Sequence, residues 1–182
     1  NSMIIKRSLP KSPKRILLGM ENHMSGELPE QIENGQAITL NNSRFILISL
    51  PLSSFPNYIY DVLTSLRLMH LVPILARPER NRVLVKNPKI MIELADNGTL
   101  FIMASGSVTG EFGKRTQRDA LKLTKNNLIH VIGSDMHSAK TKRSPTLYQA
   151  FKWIKRFNGQ EIASDLFIKN PTMILSGHSP LD

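Results

Sequence analysis

Short apolar runs alternate along the chain with longer segments in which apolar residues recur at helical spacing. Each run is bounded by proline, glycine, asparagine or charged residues, which is typical of buried strands. The predicted strands cover residues 15–21, 45–50, 72–76, 99–103 and 128–134. Helical periodicity predicts helices over residues 28–34, 56–70, 88–97, 114–126 and 145–157, and a last short helix over residues 163–167.

This alternation predicts an α/β fold in which a mainly parallel sheet carries its helices on the outside. An open, doubly wound sheet and a barrel both satisfy the pattern. No glycine-rich phosphate-binding loop follows a predicted strand, which argues against a dinucleotide-binding sheet. Because neither an internal repeat nor a linker is visible, we expect a single domain over residues 1–182. Residues 1–14 are expected to be a basic tail or tag remnant, and residues 170–182 a carboxyl-terminal tail.

The composition is that of a folded protein. Of the 182 residues, 41% are apolar and 21% are charged, which excludes a disordered or fibrous chain. No apolar run approaches the roughly 20 residues of a membrane span, and the basic first residues lack the apolar block of a signal peptide. Cysteine is absent, which excludes disulfides and zinc–thiolate sites and fits a reducing compartment. We therefore expect a cytoplasmic protein.

The charge balance favours an anionic partner. Lysine and arginine number 24 against 14 acidic residues, which gives a net charge of +10. The cations are spread in short groups, and no zinc-finger spacing or alternation of aromatic and basic residues accompanies them. Two interpretations remain open: a solvated basic surface, and a specific anion-binding site within one of these groups.

The carboxyl ends of the predicted strands carry the chemically interesting residues, because parallel α/β folds collect their functional groups there. Asp135 and His137 follow the fifth strand with one residue between them and can share a divalent metal. The alternative is an Asp that caps the next segment beside a surface His. The remaining histidines have no partner spacing and are predicted to be surface or core residues: His23, His70, His130 and His178.

The third predicted strand ends in Arg77-Pro-Glu-Arg80, which places two guanidinium groups at one strand end. Such a pair suits bidentate contacts to phosphate or carboxylate. The alternative is an internal ion pair with Glu79. After the fourth strand, residues 104–110 are small and rich in hydroxyl groups, so their backbone can approach a ligand closely, although a plain turn explains them equally well.

Several segments, taken together in this order, resemble one family. They are ILLGMEN, GELPEQIENGQAITLNNSRFILISLP, LVPILARPERN, MASGSVTGEFGKRTQRDALKL and LIHVIGSDMHS. The chain is similar over roughly residues 15–175 to the bacterial manganese-dependent tyrosine phosphatases of capsule and exopolysaccharide gene clusters. That family is built on the polymerase-and-histidinol-phosphatase (PHP) fold, a distorted β/α barrel.

The resemblance implies a site, a cofactor and a partner. Divalent ions, usually manganese, polarise the phosphate and activate a water in this family, and arginines hold the phosphoryl oxygens. The substrate is the phosphotyrosine-bearing tail of a kinase. Glu21, Asp135 and His137 match metal-ligand positions. Arg80 matches a phosphate-binding arginine and shares the catalytic role with Asp135 and His137, and a second phosphate-binding cation would be Lys142 or Arg143.

The sequence departs from the family at three places. It contains no His-x-His pair, which the family carries on its first strands. Ser49 stands where a strand should end in a bridging glutamate, and Arg77 replaces the histidine of the family's His-Pro-Glu-Arg motif. These departures predict an incomplete PHP-type barrel, weakly active or inactive, with or without bound metal. An exposed sheet edge would favour homo-oligomers.

The positive charge of Arg77 also has an electrostatic explanation. Without a divalent cation, Glu21 and Asp135 would repel one another in a partly buried site, and an arginine supplies fixed positive charge there. We therefore predict that Arg77 pairs with one or both carboxylates. The functional alternatives are a tyrosine phosphatase homologue with impaired activity, and a non-catalytic phosphate- or nucleic-acid-binding protein on the same fold. The motifs match the phosphatase branch better, and no basic stripe supports nucleic-acid binding.

Overall fold

The computed structural model describes residues 16–136 and 146–181. A five-stranded sheet lies at their centre, in the order β1-β2-β3-β4-β5, and every neighbouring pair is parallel. The strands are β1 (Glu21–His23), β2 (Phe45–Ser49), β3 (Val72–Ala76), β4 (Leu100–Ala104) and β5 (Val131–Gly133). The order never reverses, so the sheet is wound in one direction, as in a β/α barrel, and is not doubly wound.

Nine α-helices connect and follow the strands in the described part of the chain. They are α1 (Leu28–Glu33), α2 (Tyr58–Leu68), α3 (Arg82–Lys86), α4 (Pro88–Asp96), α5 (Ser105–Thr109), α6 (Lys114–Lys125), α7 (Leu147–Asn158), α8 (Gln160–Ser164) and α9 (Asn170–Leu175). Turns of 3-10 helix cover Leu40–Asn42 and Pro78–Arg80, and a π-helical turn covers Asp165–Lys169. Among these helices, none has both the length and the apolar character needed to cross a bilayer.

The two faces of the sheet bury different groups because side chains alternate along each strand. On the outer face, Ile48, Leu75 and Phe101 belong to the main core with the apolar sides of the helices. On the inner face, a smaller cluster contains Phe45, Ile74, Leu100 and Val131, and Ile174 of α9 covers it. The first eight helices therefore pack against the outer face, α9 lies against the inner face, and the carboxyl ends of the strands remain free for polar groups.

The α/β fold is as predicted, and four local predictions need correction. Residues 16–20 are not a strand, because Leu18 accepts a hydrogen bond from Asn41 and the ladder with β2 begins at Glu21. Residues 104–110 form a buried helical turn, α5, that ends at Gly110. The predicted tail contains α9, whose Pro171 lies in the first turn, where proline is tolerated. The fifth strand is shorter than predicted, and the predicted tail over residues 1–14 lies outside the described residues.

Asn81 joins the loops that follow β2 and β3. Its side-chain oxygen accepts hydrogen bonds from the backbone N–H groups of Val83 at 2.9 Å and Leu84 at 3.0 Å, which caps α3. Its Nδ2 donates to the carbonyl oxygens of Pro51 at 2.6 Å and Ser54 at 2.9 Å. Asn81 is buried, so these four bonds fix the position of the residue before it, Arg80.

Two buried ionisable groups lie at opposite ends of the sheet. Glu79 accepts hydrogen bonds from the Ser107 hydroxyl at 2.6 Å and the Ala104 N–H at 3.4 Å. Burial nevertheless raises the pKa of Glu79 to about 7, against smaller opposing effects of these bonds and of the Arg80 charge. His130 accepts the N–H of Phe101 on Nδ1 at 3.1 Å, and burial lowers its pKa to about 4. Both side chains are therefore uncharged in the folded chain between about pH 4 and about pH 7.

Replacing Asn81 tests how strongly the two loops depend on its side chain. We expect Asn81→Ala to lower the free energy of unfolding by about 2–4 kcal/mol, because a helix cap is lost and the carbonyl groups of Pro51 and Ser54 lose their donor. Asn97→Ala is the matched control and should cost less than about 0.5 kcal/mol, because the side chain of the exposed Asn97 donates one hydrogen bond, to the Glu93 carbonyl. Urea denaturation followed by circular dichroism measures both, and equal losses would contradict this assignment.

Glu79 and His130 should change the free energy of unfolding in opposite directions as the pH rises. Glu79 has a raised pKa, so its contribution is complete below pH 4.5 and is lost as the pH rises to about 7. His130 has a lowered pKa, so its contribution is complete above pH 6.5 and is lost as the pH falls to about 4. Between pH 4.5 and 6.5 these two changes in the free energy of unfolding largely cancel in the wild-type chain.

The variant Glu79→Gln loses the pH dependence of stability that comes from Glu79 and keeps the one that comes from His130. We expect the free energy of unfolding of this variant to rise by roughly 2 kcal/mol between pH 4.5 and 6.5, beyond any rise in the wild type. Urea titrations at several pH values measure it, with the exposed Glu33→Gln as the control. An unchanged pH profile in Glu79→Gln would show that Glu79 ionises normally in the folded chain.

Candidate functional site

Arg77 lies at the centre of the rim formed by the carboxyl ends of the strands. It follows β3 and precedes the 3-10 turn Pro78–Arg80. Its Nη2 forms an ion pair and hydrogen bond with Oε1 of Glu21 on β1. Its Nη1 lies 3.9 Å from Oδ1 of Asp135, which follows β5. Arg77 was predicted to pair with one or both of these carboxylates, and it contacts both.

Two members of this cluster have left-handed backbone conformations. Arg77 has φ 54° and ψ 47°, and Asp135 has φ 45°. Such angles are unfavourable for residues other than glycine, and the cost rises when a proline follows, as it does at Arg77. The surrounding contacts must hold them, and one is the hydrogen bond from the Arg77 N–H to the Ile102 carbonyl at 2.8 Å.

Below the cluster, the inner face of the sheet forms a mainly apolar cavity of about 300 Å³. Glu21, Arg77 and Asp135 line its mouth, and Leu47 and Ile102 belong to its walls. The side chains of Arg77 and Asp135 are 22% and 14% exposed. Partial exclusion of water strengthens the attraction between these charges relative to a fully exposed pair.

The described residues do not by themselves form a site for a metal cluster. Within residues 16–136 and 146–181, no group of three or more His, Asp or Glu residues is arranged to hold an ion. Both carboxylates that the resemblance assigns to metal, Glu21 and Asp135, are paired with Arg77. Ser49 offers only a hydroxyl, which donates to the Asn22 carbonyl at 3.2 Å. His137, the third predicted ligand, lies outside the described residues.

Arg80 lies beside a second, larger cleft. Its guanidinium group lies over the ring of Phe112, with 5.0 Å from Cζ to the ring centroid. Phe112 can approach α5 closely because residue 106 is glycine, where a Cβ atom would come within 2.9 Å of the ring. The cleft has a volume of about 620 Å³. Lys142 and Arg143, predicted as further phosphate-binding residues, lie outside the described residues.

The alternative prediction, an ion pair between an arginine of this segment and Glu79, is wrong for Arg77. Glu79 turns inward to Ser107 and the Ala104 N–H, while Arg77 takes Glu21 as its partner. The sequence predictions missed the supporting roles of Glu79, Asn81 and Phe112. Only Asn81 carries a local signal, since asparagine directly before a helical segment is a common N-cap.

Comparison with known proteins gives a consistent result. The family model described as "Capsular polysaccharide synthesis, CpsB/CapC" matches residues 5–176. The tyrosine-protein phosphatase YwqE of Bacillus subtilis is 31% identical over 187 residues, which cover 100% of this chain and 72% of YwqE. The putative tyrosine-protein phosphatase CapC of Staphylococcus aureus is 31% identical over 178 residues, which cover 97% of this chain and 68% of CapC.

A solved structure supports the same relationship. It is described as one of YwqE from Bacillus subtilis and CpsB from Streptococcus pneumoniae, metal-dependent tyrosine phosphatases, and it superposes with a TM-score of 0.87 at 30% identity. The match covers 98% of this chain and 70% of that one, which confirms the predicted PHP-type α/β fold. The motifs, the family model and the shared fold agree, and the chain belongs to the CpsB/CapC family of capsular polysaccharide synthesis.

Proposed function

We propose that this chain binds phosphotyrosine on a protein of capsule or exopolysaccharide synthesis and that its metal-dependent hydrolysis is lost or strongly reduced. The partner is the phosphotyrosine-bearing tail of a kinase, Arg80 is the phosphate ligand, and the location is cytoplasmic. The single observation that carries the proposal is the cluster in which Arg77 is paired with both Glu21 and Asp135.

The charge balance of the rim supports this function. Two carboxylates alone would repel a phosphate dianion and one another, and the Arg77 guanidinium offsets one of the two negative charges permanently. In related phosphatases a divalent metal such as manganese would polarise the phosphate and supply a nucleophilic hydroxide. A guanidinium group attracts anions but has no coordination position for water. Binding of the phosphate therefore does not require hydrolysis.

Arg80 is the best candidate for the phosphate contact among the described residues. It is half-buried, its side chain is oriented by the ring of Phe112, and its backbone is fixed by Asn81 and Glu79. A guanidinium held in this way can donate two parallel hydrogen bonds to phosphoryl oxygens. Nucleic-acid binding has less support, because the guanidinium group of Arg80 covers one face of the neighbouring aromatic ring and leaves less aromatic surface for stacking on a base.

A binding assay tests the phosphotyrosine proposal directly. Fluorescence anisotropy with a phosphotyrosine peptide and its unphosphorylated form should give tighter binding of the phosphorylated peptide. Arg80→Gln should weaken that binding by roughly 10- to 100-fold, because a charge-assisted hydrogen-bond pair is lost. The exposed Lys89→Gln is the control for the change in net charge. Equal binding of the two peptides by the wild-type chain would refute the proposal.

Restoring the family residues tests the role of Arg77. We expect the wild-type chain to show no manganese-dependent turnover of p-nitrophenyl phosphate, and the double variant Arg77→His with Ser49→Glu to gain manganese affinity in calorimetry. Removing the guanidinium group frees Glu21 and Asp135 to coordinate a cation, and the new side chains add two donors. Wild-type turnover that is abolished by a chelator and by Asp135→Ala would overturn the assignment.

A further inference from the structure

The cleft beside Arg80 has a strongly basic lining. Arg82 and Lys86 of α3 reach it from one side, and Arg115 of α6 reaches it from the other. Its two acidic residues are Glu79, which is buried and turned toward Ser107, and Asp119, which is half-buried. The sequence shows these cations as two separate groups, and the fold brings them together at one opening.

These three cations are not neutralised by neighbouring carboxylates. Within residues 16–136 and 146–181, Arg82, Lys86 and Arg115 form no ion pair, and all three side chains are exposed. Lys169, in contrast, is paired with Asp165 at 2.7 Å. Like charges that lie close together repel one another. Binding of an anionic group in the cleft therefore lowers the free energy.

The shape and the remaining lining suit an extended peptide. A volume of about 620 Å³ is within the usual range of ligand clefts, which is about 300–1,000 Å³. Leu52, Val85 and Phe112 provide apolar surface, and the hydroxyl groups of Ser53 and Thr116 provide hydrogen-bonding groups between the cations. A peptide matches this lining when its acidic side chains are separated by apolar side chains and its backbone N–H and carbonyl groups meet the hydroxyl groups.

The cleft is also next to the rim. Arg77 precedes the 3-10 turn Pro78–Arg80, and Arg80, the last residue of that turn, lines the cleft. A phosphate held by Arg80 would therefore place the neighbouring residues of its peptide at the opening between α3 and α6.

We propose that this cleft binds aspartate or glutamate side chains next to the phosphotyrosine of the partner, through Arg82, Lys86 and Arg115. The inference rests on the proposed function, because it takes Arg80 as the phosphate ligand. The three cations select the sequence around the phosphotyrosine and do not contact the phosphate.

Two phosphotyrosine peptides of equal length test this selection, one with flanking glutamates and one with glutamines at the same positions. Fluorescence anisotropy should show that the wild-type chain binds the glutamate peptide about tenfold more tightly, because each of three partly screened ion pairs contributes a few-fold. This preference should decrease as the salt concentration rises.

The variant Arg82→Gln, Lys86→Gln, Arg115→Gln should lose the preference and keep its affinity for the glutamine peptide. The matched control is Lys89→Gln, Lys125→Gln, Lys155→Gln, which changes the net charge equally at exposed positions that do not line the cleft. Urea midpoints equal to that of the wild type establish that both variants fold. Equal affinity of the wild-type chain for the two peptides, or a preference that persists in the cleft variant, would refute the inference.

Two further outcomes separate this inference from the proposed function. A glutamate preference that is lost in the cleft variant, together with equal binding of phosphorylated and unphosphorylated peptides, would support the cleft and refute phosphotyrosine binding. Phosphate-dependent binding without any glutamate preference would refute the cleft and leave the proposed function intact. A single-stranded oligonucleotide that displaces the glutamate peptide at lower concentration than the free peptide does, through the same three residues, would overturn the assignment to a peptide.

Discussion

The arrangement of the rim depends on one guanidinium group that contacts both edges of the sheet. Arg77 follows the central strand β3, while Glu21 and Asp135 belong to β1 and to the end of β5. Neighbouring strands are about 4.8 Å apart, so each edge strand lies about 10 Å from the centre of a flat sheet. The contact of one side chain with both edges indicates that the sheet is curved toward its inner face. The ion pairs and the curvature therefore stabilise one another.

A fixed cation and an exchangeable one have different chemical consequences at such a site. A metal ion can be removed, can accept a water molecule and can change its coordination during a reaction. The guanidinium group of Arg77 is covalently part of the chain, so its positive charge cannot be separated from the fold. The left-handed conformations of Arg77 and Asp135 indicate that the backbone is held in an unfavourable geometry in order to bring these charges together.

The sequence predicted the elements whose signal is local. Residues 72–76 were predicted as a strand and form β3, and the pairing of Arg77 followed from the need to balance two carboxylates. Helix α5 was missed because its serine and glycine residues have weak helix propensity, and burial of nearly the whole turn overrides it. The cleft was missed because Arg82 and Arg115 meet only when α3 and α6 pack beside the same turn. Long-range proximity of this kind has no periodic signal in a single sequence.

The five residues from Arg77 to Asn81 explain how the rim tolerates an arginine in place of a histidine. Arg77 precedes the 3-10 turn and Arg80 ends it, and both are partly exposed. Glu79 and Asn81 point inward and form hydrogen bonds that do not involve residue 77. The position of Arg80 is therefore set by its buried neighbours. If Arg80 is the phosphate ligand, as we propose, the side chain at residue 77 can change from a metal ligand to a cation without moving it, which would allow recognition and hydrolysis to be separated within one short segment.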